Sequence, residues 1–356
     1  MAKLGFLKDF NKSLAKMSSV TTTFSPPTHW YNVGNFAINR ILSGSYRRGI
    51  PQGRISILAG PSGAGKSFLL CNIIREAQKD GAYVLVVDSE NALDQEFMSK
   101  LGIDTSEDAL SYVGVTIMQD VTKVLSEFLG SYEKEYGRDN PDAPKILIVI
   151  DSLDMLLTES EDEKFERGDQ KGDQGQRAKI LKHLMRTLVV KTSRLNCTTV
   201  ATHQVYPADP LLGEGSWALN NGVRYCASQI ALITKLRLKE ETEIVGIRMR
   251  VETFKSRFAK LGSKVEVEVP YSKGMDPLSG VIDLLIADGV VTQGGAWYSC
   301  SLPNEELKFQ RKNFDIAMFN KILENHPKMV DAENQMIEAN ASEDPDSALV
   351  QETAEA

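Results

Sequence analysis

One stretch decides the fold of this chain, Gly60-Pro61-Ser62-Gly63-Ala64-Gly65-Lys66-Ser67. It lies between the apolar run Ile55–Ala59, which predicts a strand, and Ser67–Asp80, whose apolar spacing predicts a helix. The spacing G-x-x-x-x-G-K-[S/T] between a strand and a helix is typical of a phosphate-binding loop. Glycines let such a loop curl so that backbone N–H groups point at phosphate oxygens, and the helix N-terminus adds positive potential. The alternative, a Gly-rich turn that merely enters a helix, is disfavoured by this context.

Two side chains of the loop carry chemistry. We expect the Lys66 amine to reach the β- and γ-phosphates of a nucleoside triphosphate and the Ser67 hydroxyl to ligate Mg²⁺. The residues of the loop predicted to bind the nucleotide are Gly60, Pro61, Ser62, Gly63, Ala64, Gly65, Lys66, Ser67 and Phe68.

The sequence on both sides of the loop predicts an α/β fold. Near-continuous Val/Ile/Leu runs alternate with amphipathic segments, a pattern typical of a parallel sheet covered on both faces. After about residue 203, strands follow one another without long helices, which predicts an antiparallel extension of the same sheet. The predicted strands are Ile55–Ala59, Tyr83–Asp88, Ile146–Ile150 and Thr198–Thr202, followed by Gln229–Thr234, Ile247–Phe254 and Lys264–Val269.

Acidic residues and one histidine follow the predicted parallel strands. Asp151 comes directly after Ile146–Ile150, where a carboxylate can hold Mg²⁺ beside the triphosphate. Glu90 lies just beyond the strand Tyr83–Asp88 and is the better candidate for a general base, with capping of the next helix as the alternative. His203 ends a strand on the same edge. Because ligands of parallel sheets bind at the carboxyl ends of strands, we expect these side chains to face Lys66.

Composition excludes several classes of protein. The chain has 356 residues, 42% of them hydrophobic, and a net charge of −7, which excludes collagenous, mucin-like and wholly disordered chains. No apolar run approaches the roughly 18 residues that cross a bilayer, and the charged start does not resemble a secretory signal. The four cysteines form no CxxC pair, which favours a reducing cytosol and offers no zinc site.

The two ends of the chain differ from its centre. Residues 1–28 predict a short basic amphipathic helix and a Ser/Thr/Pro-rich linker. Because the linker isolates the helix, docking on a neighbouring subunit is favoured; the alternatives are that it lies on a membrane surface or packs on its own core. Residues 29–274 form the predicted core, and 275–330 a small helical appendage with a short hairpin near Gly294-Gly295. Residues 331–356 contain eight acids and no Lys or Arg, which predicts a disordered tail of charge −8.

These motifs together resemble the ATPase core of RecA-family recombinases. The resemblance rests on the run Gly53–Ser67, on Asp88–Asp94 with Glu90, on the strand that ends at Asp151-Ser152, and on later stretches around residues 274–280 and 295–299. It covers about residues 33–300. Within the family the chain looks closest to phage UvsX-type recombinases, because His203 stands where bacterial RecA carries a phosphate-sensing glutamine.

The resemblance implies roles for individual residues. Glu90 matches the family's water-activating glutamate, and His203 matches its γ-phosphate sensor. Asp94 and Phe97 match positions that contact the nucleotide base. Two basic residues, Lys255 and Arg257, match the pair that reaches the neighbouring subunit's ATP, where positive charge offsets the developing negative charge; the alternative is a pair of surface cations. The predicted catalytic residues are therefore Lys66, Glu90, His203, Lys255 and Arg257, with Ser67 and Asp151 as metal ligands.

The two loops expected to contact DNA lack the cluster of basic residues that usually binds phosphate. The stretch 204–222 matches the family's second DNA-binding loop but has no Lys or Arg, so its tools are backbone N–H groups and apolar or aromatic inserts. The loop 158–175 is acidic, a poor match to phosphate, whereas the helix after it is rich in Lys and Arg; a solvated cationic face is the alternative. The predicted DNA contacts are Val205, Tyr206, Gly213, Gly215, Trp217, Asn221, Gly222, Arg224 and Arg177.

The expected function is that of an ATP-dependent recombinase with DNA-dependent ATPase activity. We expect ATP and Mg²⁺ as cofactors, single- and double-stranded DNA as partners, a helical filament of identical subunits, and pairing of homologous strands. A single-strand-binding protein and a recombination mediator are further candidate partners, and no membrane is involved. The expected location is the cytoplasm, that of a host cell if the protein is phage-encoded. The alternatives are a ring-forming DNA motor, such as a hexameric helicase, and a recombination mediator that binds ATP. The acidic tail is expected either to compete with DNA or to recruit loading partners.

Overall fold

The computed structural model describes residues 6–14, 17, 26–168, 175–207 and 217–330. Within these ranges the helices are α1 (Phe6–Leu14), α2 (Phe36–Ser43), α3 (Lys66–Lys79), α4 (Gln95–Lys100), α5 (Met118–Tyr136), α6 (Glu159–Glu166), α7 (Gln176–Thr192), α8 (Asn221–Cys226), α9 (Val281–Ala287) and α10 (Ile316–Asn325). The strands are β1 (Trp30–Tyr31), β2 (Ile50–Pro51), β3 (Ile55–Gly60), β4 (Tyr83–Asp88), β5 (Leu110–Gly114), β6 (Ile146–Asp151), β7 (Cys197–Gln204), β8 (Tyr206–Pro207), β9 (Trp217–Ala218), β10 (Gln229–Glu240), β11 (Glu243–Ser256), β12 (Lys264–Pro270), β13 (Thr292–Gly294), β14 (Trp297–Leu302) and β15 (Glu305–Gln310).

Eight strands form the main sheet, in the order β12-β11-β10-β3-β7-β6-β4-β5. Neighbours from β10 to β5 are parallel, and β11 and β12 add an antiparallel edge. The predicted α/β fold is confirmed. Two strands differ from the prediction. The edge strand β5 was not predicted, and β10 was grouped with the antiparallel extension although Gln229–Leu232 pairs parallel with β3. The segment between β7 and β10, which ends with the short helix α8, returns the chain to the amino ends of the parallel strands. The strand β10 can therefore begin parallel to β3.

Side chains that alternate along the central strands explain why the strand sequences are almost wholly apolar. In β3, Leu58 packs on one face of the sheet, whereas Ile57 packs on the other. One face is covered by α2, α3 and α9, and the other by α5 and α7. Since both faces are buried, both sets of side chains must be hydrophobic.

The appendage after residue 274 contains more strand than the sequence predicted. Its three strands β13, β14 and β15 form an antiparallel sheet between α9 and α10, and β13 and β14 make the hairpin that was predicted. Buried residues such as Leu285 and Phe319 continue the core on the α3 side of the main sheet. The prediction of a helical appendage was therefore incomplete, because short alternating strands give a weak signal.

The N-terminal helix is present over Phe6–Leu14, and the side chains of Phe6 and Phe10 are 64% and 52% exposed. This exposure leaves an apolar stripe that does not pack on the described core. The rest of the predicted arm, apart from residues 17 and 26–28, lies outside the described residues, as does the acidic tail 331–356. No helix in the described part of the chain is both long and apolar enough to span a bilayer.

Candidate nucleotide site and nucleic-acid interface

The phosphate-binding loop runs from the end of β3 to the first turn of α3. Gly65 precedes α3 with φ +100°, a left-handed conformation that favours glycine. A Cβ atom on Gly60 would lie 2.3 Å from the carbonyl oxygen of Ile233, because β10 is the neighbouring strand of β3 in the sheet. The buried Lys66 amine donates to the carbonyls of Gly60 and Pro61, 3.0 Å from each. The predicted loop residues therefore form one compact cradle at the carboxyl end of the sheet.

Asp151 lies across the cradle, at the end of β6. Its side chain is 1% exposed and accepts hydrogen bonds from the hydroxyls of Thr202 and Ser67. The other carboxylate oxygen, Oδ2, is buried without a hydrogen-bond partner among the described residues. A buried unpartnered carboxylate oxygen beside a serine hydroxyl fits Mg²⁺, which binds proteins through one or two such groups and completes its shell with phosphates and water. We assign Ser67 and Asp151 as the residues that would hold the ion.

Burial shifts the pKa values of two groups in the cradle. Burial raises the pKa of Asp151 and lowers the pKa of Lys66. The carboxylates of Glu90, Asp151 and Asp154 oppose the lowering of the Lys66 pKa. Both shifts report groups held partly away from water, where electrostatic interactions with a triphosphate are stronger than in solution.

Glu90 is held in place by polar groups rather than by a helix. Its Oε1 accepts a hydrogen bond of 2.6 Å from the hydroxyl of Ser152, the residue after Asp151. Its backbone N–H donates to Asp88, 2.9 Å away. The fully buried Asp88 carboxylate also accepts from the hydroxyl of Tyr112 at 3.0 Å. Burial and this carboxylate raise the pKa of Tyr112 to about 12. The alternative, that Glu90 caps the next helix, was wrong, because another residue caps α4.

That cap is Asp94, whose carboxylate accepts from the backbone N–H of Phe97 at 2.8 Å. Both side chains lie on the surface, and the ring of Phe97 is 36% exposed. Their predicted contact with the nucleotide base is untested and stays a prediction.

His203 reaches the same edge of the sheet through β7. The register places His203 opposite Ala59 and Gln204 opposite Gly60, at the start of the phosphate-binding loop. The imidazole is 5% exposed, and its Nδ1 lies 2.6 Å from Oδ2 of Asp154 without forming an aligned hydrogen bond. Its Nε2 has no hydrogen-bond partner among the residues that the structure describes.

Lys255 and Arg257 lie at the opposite edge of the sheet from the cradle. Ser256, between them, pairs with Gln229, which in turn pairs with Ser56 near the start of β3. Gly60 is four residues further along β3, about 13 Å at roughly 3.3 Å per residue. The Lys255 amine donates to the carbonyl of Arg224 at 2.7 Å, and Arg257 is exposed. The pair therefore faces away from the nucleotide cradle of its own subunit.

The predicted DNA contacts of the second loop fall into different environments. Val205 is buried and Trp217 packs against the core beside α7, whereas the ring of Tyr206 is 63% exposed. Gly222 packs closely on α7: a Cβ atom there would lie 3.0 Å from Cβ of Lys182. The remaining predicted contacts of this loop are Asn221 and Arg224, which are exposed, and Gly213 and Gly215, which lie outside the described residues.

The cationic helix α7 presents some of its charges to solvent and uses others internally. Lys179, Lys182 and Arg186 are exposed. Arg177 instead donates to the backbone carbonyls of Asp154 and Leu156, so its guanidinium anchors the chain after β6. Exposure makes the three outer cations better candidates for phosphate contact than Arg177, although every DNA contact here stays a prediction.

Sequence reasoning missed the residues that position the site. Asp154, Asp88, Ser152 and Tyr112 were not singled out for the contacts they make. A faint signal existed for Ser152, which follows Asp151 directly, and for Asp154, which comes three residues after it at the end of a predicted strand. For Tyr112 none existed, because its contact with Asp88 depends on how β5 pairs with β4.

Comparison with known proteins identifies the family. The RecA N-terminal domain family matches residues 7–276. Protein RecA of Chloroherpeton thalassium is 30% identical over 297 residues, covering 77% of this chain and 74% of that protein. Protein RecA of Paracoccus denitrificans is 28% identical over 296 residues (82% and 76%), and that of Thermus aquaticus 29% over 259 residues (70% of each).

The predicted resemblance to this family is confirmed, whereas the likeness to one phage branch of it is not distinguished by these relatives. The match extends over most of the chain and includes the phosphate-binding loop, Glu90 and Asp151. The chain therefore belongs to the RecA family: it is a DNA-dependent ATPase of recombination and repair that uses ATP with Mg²⁺, binds DNA and assembles into filaments.

Proposed function

We propose that this protein pairs homologous DNA strands from a filament in which each ATP lies between two subunits. One observation carries the proposal: the cradle and the pair Lys255/Arg257 lie at opposite edges of the same sheet. A cation pair that cannot serve its own nucleotide can serve that of a neighbour in a head-to-tail assembly. Such a heterologous interface, when it does not close, builds a helical filament.

Within the proposed interface, residues of two neighbouring chains have separate roles in hydrolysis. Glu90 would accept a proton from the attacking water, since Ser152 holds its carboxylate and Asp88 holds its backbone N–H. Lys66 would bind the β- and γ-phosphates from the cradle. Lys255 and Arg257 of the neighbour would offset charge that develops on the γ-phosphate, and Mg²⁺ on Ser67 and Asp151 would neutralise the phosphates when bound.

Electron micrographs with single-stranded DNA and a non-hydrolysable ATP analogue test the assembly, and D-loop formation tests strand pairing. Helical filaments together with D-loops are expected for the wild-type protein. Closed rings with unwinding activity would instead favour a RecA-fold motor, and filaments without D-loops a mediator. Either result would refute the proposed function while leaving the ATPase assignment intact.

The exposed stripe on α1 is consistent with the proposed assembly. Phe6 and Phe10 are exposed in a single copy, so docking on a neighbouring subunit would bury them. The proposal also includes the phage-type likeness, which depends on His203. It further includes a cytoplasmic location and the recruitment of a single-strand-binding protein or a mediator. Pull-down of a single-strand-binding protein with and without residues 331–356 would test the last of these.

A further inference from the structure

Asp154 contacts three parts of the molecule that the proposed function requires to communicate. Its Oδ2 lies 2.6 Å from Nδ1 of His203 and also accepts the backbone N–H of Gln204. Its own backbone carbonyl accepts a hydrogen bond from Arg177, at the start of α7. The negative charge of this carboxylate also tends to raise the pKa of Lys66 in the cradle.

The contact with Gln204 matters because of where this residue lies. Gln204 ends β7, pairs with Gly60 of the cradle, and begins the stretch 204–222 that was predicted to contact DNA. Arg177 begins the helix whose outer face carries Lys182 and Arg186. A displacement of Asp154 would therefore move the beginning of both candidate DNA-binding segments, because each is bonded to this one residue.

We propose that Asp154 is a positioning residue that couples the nucleotide cradle to both candidate DNA-binding segments. This inference rests on the proposed role of His203 beside the γ-phosphate. The imidazole is buried and its Nε2 has no partner among the described residues, so it has a free position toward a phosphate oxygen. Movement of the ring toward phosphate changes its contact with Oδ2, the same oxygen that holds the N–H of Gln204. The imidazole that would respond to the nucleotide and the N–H at the start of the second loop therefore contact the same carboxylate oxygen.

The variant Asp154→Asn tests the coupling. Asparagine keeps the size of the side chain and one carbonyl acceptor but removes the negative charge that both contacts share. Asp108→Asn, which removes an exposed carboxylate far from the cradle, is the matched control. ATP hydrolysis is measured with and without single-stranded DNA, and DNA affinity with and without a non-hydrolysable analogue. Thermal unfolding of each variant checks that it is folded.

We expect the ratio of DNA-stimulated to DNA-free hydrolysis to fall about tenfold in Asp154→Asn, equivalent to about 1.4 kcal/mol of coupling. The gain in DNA affinity on nucleotide binding should fall by a similar factor. Asp108→Asn should keep both ratios. In a His203→Gln background, Asp154→Asn should add little, because the two residues act through the same contact.

Three results would overturn the coupling role of Asp154: wild-type ratios in Asp154→Asn, an equal loss in Asp108→Asn, or a full additional loss in the His203→Gln background. A proportional fall of both rates with a lowered melting temperature would assign Asp154 a structural role only, and would also refute the inference. If the wild-type protein forms no filaments and no D-loops, the proposed function fails instead, so the two failures are distinguishable.

Discussion

Two variants that are each inactive should restore ATP hydrolysis when they are mixed. The first, Lys255→Ala with Arg257→Ala, keeps an intact cradle but loses the cations at the far edge of the sheet. The second, Glu90→Gln, loses the proposed base but keeps these cations. We expect the loss of the base to lower hydrolysis by about 10²–10⁴-fold and the loss of the trans-acting cations to lower it by about 10³–10⁵-fold.

The size of the recovery follows from the geometry. The register of β3, β10 and β11 separates the cation pair from the cradle by about 13 Å along the strands, at about 3.3 Å per residue. In the proposed assembly each active site therefore combines two subunits. In a randomly mixed filament at a 1:1 ratio, about one quarter of the interfaces join an intact cradle to an intact cation pair. Hydrolysis should therefore return to about a quarter of the wild-type rate.

The assay is single-strand-stimulated ATP hydrolysis at constant total protein while the mixing ratio is varied. Activity should peak at equal amounts and vanish at both extremes. A mixture of Glu90→Gln with Glu90→Ala is the control, because no combination of these subunits restores the base. If the mixed variants give only the weighted sum of their separate rates at every ratio, the cations do not act across an interface and the reasoning from the register is refuted.

Asp151→Asn should abolish Mg²⁺-dependent hydrolysis yet stabilise the nucleotide-free protein by about 1 kcal/mol, or about 2 °C in melting temperature, because it removes a buried charge. Burial raises the pKa of Asp151, so between the pKa of this carboxyl in the unfolded chain and its higher pKa in the native state, the native state holds a proton that the unfolded chain has released. The stability gain of the variant over wild type should therefore appear as the pH rises through this interval and be absent in strong acid. Melting scans across pH would show this. Tyr112→Phe should lower kcat severalfold with little change in KM, because it frees the carboxylate that positions the catalytic loop; Tyr83→Phe on the adjacent strand is its control, and equal kinetics of the two would contradict this role. Gly60→Ala should lose nucleotide binding by calorimetry, since its Cβ would overlap the carbonyl of Ile233; wild-type affinity would show that the loop can shift.

Much of the site was predictable because its chemistry is local in the chain. The spacing of Gly60, Lys66 and Ser67 fixes a loop between a strand and a helix whatever surrounds it. Asp151 and Glu90 follow apolar strands, and parallel strands bring their carboxyl ends to one edge. In the structure the carboxylates of Glu90 and Asp151 lie close enough to Lys66 to affect its pKa, and this proximity could be inferred without long-range detail.

Other predictions depended on contacts that no local pattern encodes. Arg177 reads as a surface cation in a basic helix, yet it donates to backbone carbonyls more than twenty residues earlier in the chain. Trp217 reads as a side chain free to stack on a base, yet it packs against the core. The grouping of β10 failed for a related reason, since the direction of a strand depends on the path of the chain that precedes it.

The amino-acid sequence by itself determined the cradle and predicted its metal ligands and its base, since each depends on residue type and spacing within a few positions of a strand end. Only the tertiary structure decided that Asp154 joins His203 to Gln204, and that Lys255 faces away from its own nucleotide. Both facts arise from strand register and loop packing between segments tens of residues apart. The free energy that fixes them comes from burial of the whole core, which no short stretch of sequence contains.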